Sequence, residues 1–240
     1  MTNASTNAWD DPRIARGMAA QLATRKQRIA AGEKPFGWKV GFGAPAALER
    51  LGLKAPAVGY VMQRALVLSG STVSLAGWAK PVAECEIGVR LARDLAGGAT
   101  AASAQAAIKE IFPAIELADG DPPSTPDNLA DVIAGDIYQR HVVLAGATRA
   151  GASLDGLTSR LIRRGAENAS TDDPEALTGK LTGIVAHVAN TLAAYGEMLR
   201  AGDVIITGSI TPPIAIEPDE TALAHALDPI GEISVQFSRD

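Results

Sequence analysis

A single cysteine, Cys85, three histidines and few aromatic side chains, 4% of 240 residues, are what this sequence is short of. One cysteine forbids an intrachain disulfide and any cysteine-cluster metal site, and fits a reducing compartment. With so few rings, the core must be built from aliphatic and small side chains. No apolar run approaches the ~20 residues that would cross a bilayer. The opening MTNASTNAWDDPRIARGMAAQLATRKQRIA lacks the apolar stretch of a secretory signal. Lys and Arg number 22 against 27 Asp and Glu, a formal charge of -5, and no basic run interrupts that balance. Nucleic acid and membrane are therefore not expected as partners, and the expected location is cytoplasmic. Glycine-rich pieces such as LAGGAT lack a phosphate-binding pattern and read as turns.

What is present is a mixture of helical and strand patterns. Residues 10–32 read as an amphipathic helix: Asp11 caps it, Pro12 suits its first position, Ile14, Met18 and Leu22 repeat along one side, and Gly32 stops it. Such a helix serves as a lid or a packing arm. After GEKPFG come short apolar runs between glycines, GWKVGF, VGYVM, ALVLSG, STVSL and AECEIGVRLA, which read as strands and turns around a short helix, PAALERLG. ASAQAAIKEIF reads as a helix, PAIELAD as a strand from Pro113, and DGDPPSTPDNLAD as a loop. HVVLAGA and DVIITGSI are further strands. Between them residues 175–200 read as the longest helix, with Leu181, Ile184, Val185, Val188, Leu192, Tyr195 and Leu199 along its core stripe. AIEP and EISVQFS close the chain as strands, the last with Ile233, Val235 and Phe237 on one face. The elements alternate too irregularly for a doubly wound parallel sheet, so the expected class is α+β with a strongly bent mixed sheet or β-roll.

Chemistry enters with KPVAECEIGVRLARDL. Residues i and i+2 of a strand share a face, so Glu84 and Glu86 are neighbours. Taken alone, an E-x-E pair is more often the solvated face of an edge strand. Glu116 in FPAIELADG, however, is another carboxylate inside an apolar run, and three such intrusions ask for a common counter-charge. All three are hard oxygen donors without His or Cys beside them, which favours Mg²⁺ or Mn²⁺ over Zn²⁺. Three protein ligands leave about three octahedral positions for water or substrate. Cys85, on the opposite face, is a core residue.

GWKVGF, PVAECEIGVRLARDL, PAIELAD and LRAGDVIITGSITPP occur in the order and approximate spacing of the 2-keto-4-pentenoate hydratases, a branch of the fumarylacetoacetate hydrolase superfamily, and from residue 36 onward the chain resembles that family. The resemblance implies the β-roll of the fumarylacetoacetate hydrolase C-terminal type over residues 36–240, with residues 1–35 as an N-terminal helical arm, and a homo-oligomer. It implies Glu84, Glu86 and Glu116 as metal ligands, Lys39 as the catalytic, substrate-binding ammonium, and Ser209 and Thr211 as substrate donors. The implied activity is a metal-dependent hydro-lyase adding water to a short 2-hydroxy-2,4-dienoate or its 2-oxo tautomer through an enolate held on the metal, as in aromatic meta-cleavage catabolism. The alternatives are a 2-oxo acid decarboxylase or acylpyruvate C–C hydrolase of the same superfamily, and a non-catalytic binding member with a diverged pocket.

Three departures from the family pattern fall around the substrate. PAVG places Ala57 where many hydratases have an acidic residue, AGDIY places Tyr138 where a small hydroxylated residue is usual, and TGKLTG puts Lys180 near an expected histidine. Tyr138 and Lys180 are accordingly candidate substrate contacts. His141 and His187 have no nucleophile beside them and read as structural. Asp119, Asp121, Asp127 and Asp131 read mostly as solvated turn residues.

Overall fold

The computed structural model describes residues 7–144 and 146–240. Residues 1–6 of the expected arm and Ala145 of HVVLAGA lie outside the described residues. Asp11 accepts the Arg13 N–H and Pro12 takes the first position of helix α1 (Pro12–Ala30), and Gly32, at φ 94°, lies just beyond its end. Strand β1 (Pro35–Gly41), helix α2 (Pro45–Leu51), and strands β2 (Ala57–Met62), β3 (Leu66–Leu68), β4 (Thr72–Ser74) and β5 (Pro81–Leu91) follow. Helix α3 (Ala101–Ala107) runs directly into β6 (Ile108–Asp119). The expected helix ASAQAAIKEIF therefore ends at its alanines, and the strand starts at Ile108 rather than Pro113. From Ile111 onward β6 is buried on both faces, so its apolar residues run continuously and the Ile108/Ile111 spacing imitates a helix.

Helix α4 (Leu129–Ala134) leads to β7 (Gln139–Leu144) and the short β8 (Arg149–Ala150), then to the hairpin of β9 (Thr158–Arg163) and β10 (Ala166–Thr171). Helix α5 (Leu181–Ala194) is shorter than residues 175–200 suggested. The Glu175 carboxylate accepts the Leu181 N–H at 2.8 Å, fixing the start, and Gly196 at φ 75° follows the end. Strands β11 (Val204–Ser209), β12 (Ile214–Ala215), β13 (Ala222–Asp228) and β14 (Gly231–Ser238) complete the chain.

The strands form two sheets. The larger runs β2-β1-β11-β5-β6-β7-β3, with β12 on β5 and β8 on β6, and the smaller runs β10-β9-β13-β14-β4. This is a mixed α+β fold with a curled sheet, as expected. Helix α1 is a packing element, burying Ile14, Met18 and Leu22 in the main core with Trp38 and Val40 of β1 and with α5. A second core joins the sheets: Ile115 and Leu117 of β6 meet Ile233, Val235 and Phe237 of β14. Burying ~1.5–3 kcal/mol worth of side chain at each such position is what holds the layers together. His225 of β13, fully buried, crosses the same junction, with Nδ1 3.0 Å from the Ala114 carbonyl and Nε2 3.0 Å from the Ser159 hydroxyl. A carbonyl only accepts, so Nδ1 carries the hydrogen and Nε2 accepts from Ser159.

Candidate active site

Antiparallel pairing sets Glu84 of β5 directly opposite Glu116 of β6 and Glu86 opposite Ala114. Strand alternation gives Glu84 and Glu86 one face and Cys85 the other, where the thiol is buried in the main core. One carboxylate oxygen from each of the three glutamates lies within 4.8 Å of the others. Register brings Lys39 to the same face: Lys39 pairs with Ile206, Ile206 with Gly88, and Gly88 continues the row of Glu84 and Glu86. Its buried ammonium donates to Glu116 and, at 3.2 Å, to the Ile137 carbonyl.

Two glycines make this approach possible. Gly208, at φ 91° in a register slip of β11, turns its N–H onto Glu86 at 2.6 Å. Gly59 lies opposite Lys39, and a Cβ there would come within 2.8 Å of both the Lys39 Cγ and the Asp136 Oδ1. Asp136 in turn accepts the Tyr60 N–H on the edge strand β2 at 2.9 Å. The backbone around the cavity is held in the left-handed region at four residues that are not glycine: Phe42 (φ 62°), Asp136 (63°), Ile137 (51°) and Tyr138 (65°). Each costs about 1–2 kcal/mol, most plainly for the β-branched Ile137. Hydrogen bonds over-determine the segment: Ile137 N–H to Val132, Asp136 N–H to Ile133, and Asp119 N–H to the Tyr138 carbonyl.

The electrostatics are those of crowded anions. Burial, followed by the charge of Glu116, pushes Glu84 up to about 7, and the same causes with Glu84 added push Glu86 well above the usual carboxylate range. Burial works against the Lys39 charge, but Glu116 and Asp136 outweigh it and raise the ammonium. Burial raises Asp136 to about 8 against the pull of Lys39 and the Tyr60 N–H. One buried oxygen of Glu86, Oε1, has no hydrogen-bond partner among the described residues. Three converging carboxylates, one lysine and an orphaned oxygen form a site short of positive charge. An all-oxygen donor set of this kind suits Mg²⁺, Mn²⁺ or Ca²⁺, so the residues present fit a divalent cation.

A cavity of about 100 Å³ opens on the cluster, lined by Lys39, Glu84 and Glu116 within and by Phe42, Val82, Ala118 and Tyr138 toward the outside. The structure thus gathers Lys39, Glu84, Glu86, Glu116 and Tyr138. Ser209 pairs in register with Glu86, but its hydroxyl donates to the Thr211 carbonyl at 2.6 Å. Thr211 is buried and its side chain meets the Cys85 thiol, so it does not line the cavity. Lys180 does not either: its side chain is 81% exposed and paired with Glu175, which also holds the start of α5. Ala57 is buried in the main core. Asp119 is no solvated turn residue, since it accepts the Lys80 N–H at 2.8 Å and pairs with Arg140. His187 and His141 have structural settings, the first 2.8 Å from the Pro56 carbonyl and the second stacked on Trp78. Sequence reasoning missed Asp136, Ile137 and Phe42. The signal that could have found them is the unusual GDIY turn, with an acid followed by two bulky residues where a turn favours small ones.

The chain matches the family described as fumarylacetoacetate (FAA) hydrolase C-terminal over residues 39–237. It is 25% identical to a 2-keto-4-pentenoate hydratase of Paraburkholderia xenovorans (strain LB400), over 96% of this chain and 86% of that protein. It is 28% identical to a 2-hydroxyhexa-2,4-dienoate hydratase of Comamonas testosteroni, over 88% of this chain and 81% of the relative. Among solved structures, 4-oxalocrotonate decarboxylase from Pseudomonas putida G7, complexed with magnesium and adipate, superposes with a TM-score of 0.85 at 25% identity, over 97% of this chain and 89% of that one.

Proposed function

The chain belongs to the fumarylacetoacetate hydrolase C-terminal family, and from that premise we propose that it is a divalent-metal-dependent hydro-lyase adding water to a short 2-hydroxy-2,4-dienoate or its 2-oxo tautomer. The hydratase relatives support this reading, and one observation carries it: three glutamates converge beside a buried lysine, Glu84 and Glu116 lining the cavity and Glu86 behind them with an oxygen left unpartnered. Glu84, Glu86 and Glu116 would hold Mg²⁺ or Mn²⁺. When bound, such a cation supplies Lewis acidity toward the substrate's carboxylate and adjacent oxygen.

The chain's own groups supply the rest. An ammonium has three N–H donors; Lys39 gives two to Glu116 and the Ile137 carbonyl, leaving the third for an oxyanion in the cavity. There it would stabilise charge developing on the substrate's 2-oxygen and hold a proton beside it. Glu116 keeps that ammonium charged and aimed. Asp136, on the β2 side of the Lys39 stem, adds to Glu116 in favouring the ammonium. Phe42, Val82 and Ala118 restrict bulk water while proton transfer ketonises the dienol. Addition of water across the remaining conjugated double bond then gives a 4-hydroxy-2-oxo acid. The proposed enzyme is a homo-oligomer of aromatic ring-cleavage catabolism.

The structural likeness to a decarboxylase favours a second reading, loss of CO₂ from a 2-oxo dioic acid at the same cluster. The purified protein with Mg²⁺, given 2-hydroxypenta-2,4-dienoate and 4-oxalocrotonate in parallel, distinguishes the two by mass spectrometry of the products. Hydrated product from the dienoate is expected. Glu84→Gln and Glu86→Gln should each lower Mn²⁺ affinity by at least about 100-fold and abolish turnover, since even residues behind a ligand cost 10–100-fold. Unchanged metal affinity and turnover in both variants would remove the proposal.

A further inference from the structure

Tyr138 lines two cavities, and it is the only side chain common to them among the described residues. One is the cavity of about 100 Å³ at the glutamates. The other, about 370 Å³, lies beyond the ring and is bordered by Asp119, Asp121, Asn128, Asp131 and Arg140.

The ring is held at both ends. Its backbone sits at φ 65° and its carbonyl accepts the Asp119 N–H at 3.0 Å. Its hydroxyl donates to the Pro122 carbonyl, and the same loop is tied down by Arg50, which donates to the Ser124 carbonyl and, at 3.2 Å, to the Ser124 hydroxyl. A side chain fixed at backbone and tip, on a segment that its hydrogen bonds over-determine, does not swing aside cheaply.

From these observations, and resting on the function proposed above, we propose that Tyr138 is the specificity-determining partition of the site: its ring confines the tail of a bound 2-oxo acid to the smaller cavity. The tail must then be short. It must also be uncharged, because the outer wall of Phe42, Val82 and Ala118 offers no cation. Beyond the ring, Asp119, Asp121 and Asp131 outnumber Arg140, whose guanidinium already pairs with Asp119. The favoured class is a 2-oxo monocarboxylate with a short apolar tail, and a distal carboxylate is rejected on both sides of the partition.

Calorimetric binding of pyruvate, 2-oxopentanoate, 2-oxooctanoate and 2-oxoadipate to the Mg²⁺-loaded protein tests this without reference to turnover. Wild type should bind 2-oxopentanoate at least ~10-fold more tightly than 2-oxooctanoate or 2-oxoadipate, the discrimination a filled pocket wall supports. Tyr138→Gly suits the positive φ and removes the ring. It should bring 2-oxooctanoate to within about threefold of 2-oxopentanoate, by the same pocket arithmetic, and leave 2-oxoadipate weak. Tyr138→Phe keeps the ring and should keep the wild-type preference. If the glycine variant does not fold, Tyr138→Asn, whose side chain also tolerates the left-handed region, reads the same outcome. Equal wild-type affinity for the pentanoate and octanoate, or an unchanged ratio after removal of the ring, would overturn the partition while leaving the hydro-lyase intact. Binding of none of the acids by wild type would bring down the proposed function itself.

Discussion

A Cβ placed on Gly59 would strike the Lys39 stem and the Asp136 carboxylate together, each at 2.8 Å. Gly59→Ala is therefore expected to destabilise the fold by about 1–3 kcal/mol and to lower kcat more than its stability loss explains, because the ammonium shifts relative to Glu116. Denaturant titration alongside steady-state kinetics checks this, and a variant with wild-type kcat would show that Lys39 is not positioned from β2. Lys39→Met should cut kcat by about 10²–10³, the usual effect of removing one donor to a developing oxyanion, while the glutamates still bind Mn²⁺. Spacing alone did not single out Lys39 among the lysines; the family resemblance did. Asp136 was invisible for a different reason: its importance comes from burial and from the Tyr60 N–H, neither of which a linear reading supplies.

Among the elements, β5 was the most legible, because two-residue alternation puts Glu84 and Glu86 together whatever the rest of the fold does. The β9–β10 hairpin was illegible, since β10 is largely exposed and its residues carry no apolar alternation. Strand β13 shows no strand pattern in the sequence, because ALAHALD spaces Leu223, Ala226 and Leu227 as a helix would. That strand carries His225, the bolt between the sheets. Burial lowers its imidazole to about 4, against the opposing effect of the Ala114 carbonyl. The unfolded chain takes up this proton near pH 6.5, so between about pH 6.5 and 4 it binds more protons than the fold, and stability falls as pH falls. The loss attributable to this residue reaches about 3 kcal/mol by pH 4. Plotting unfolding free energy against pH for wild type and His225→Gln should show a slope shallower in the variant by up to about 1.4 kcal/mol per pH unit. Parallel slopes would mean that the imidazole is already charged in the folded protein.

At the scale of the whole molecule, the curled sheet does what no single strand can. Lys39 of β1, the glutamates of β5 and β6, and Asp136 after α4 are distant in sequence and meet on one face of the larger sheet. Helices cover the opposite face and the smaller sheet supports its far end. The bent α+β class followed from the irregular alternation of elements. The path of residues 135–138 beside the β2 edge did not, because it depends on a turn held by tertiary hydrogen bonds rather than by turn-forming residues. Lys180 shows the same limit in reverse: its place in sequence suggested the site, and packing of the Glu175 turn left it in solvent. The proposed function stands on three carboxylates forming a metal site open to a 2-oxo acid. A crystal structure grown with Mn²⁺ and oxalate, with an anomalous difference map, tests it most directly. A single strong peak is expected about 2.1 Å from oxygens of Glu84, Glu86 and Glu116, with oxalate on the remaining positions facing Lys39; a peak elsewhere, or no peak at these glutamates, would overturn the metal site.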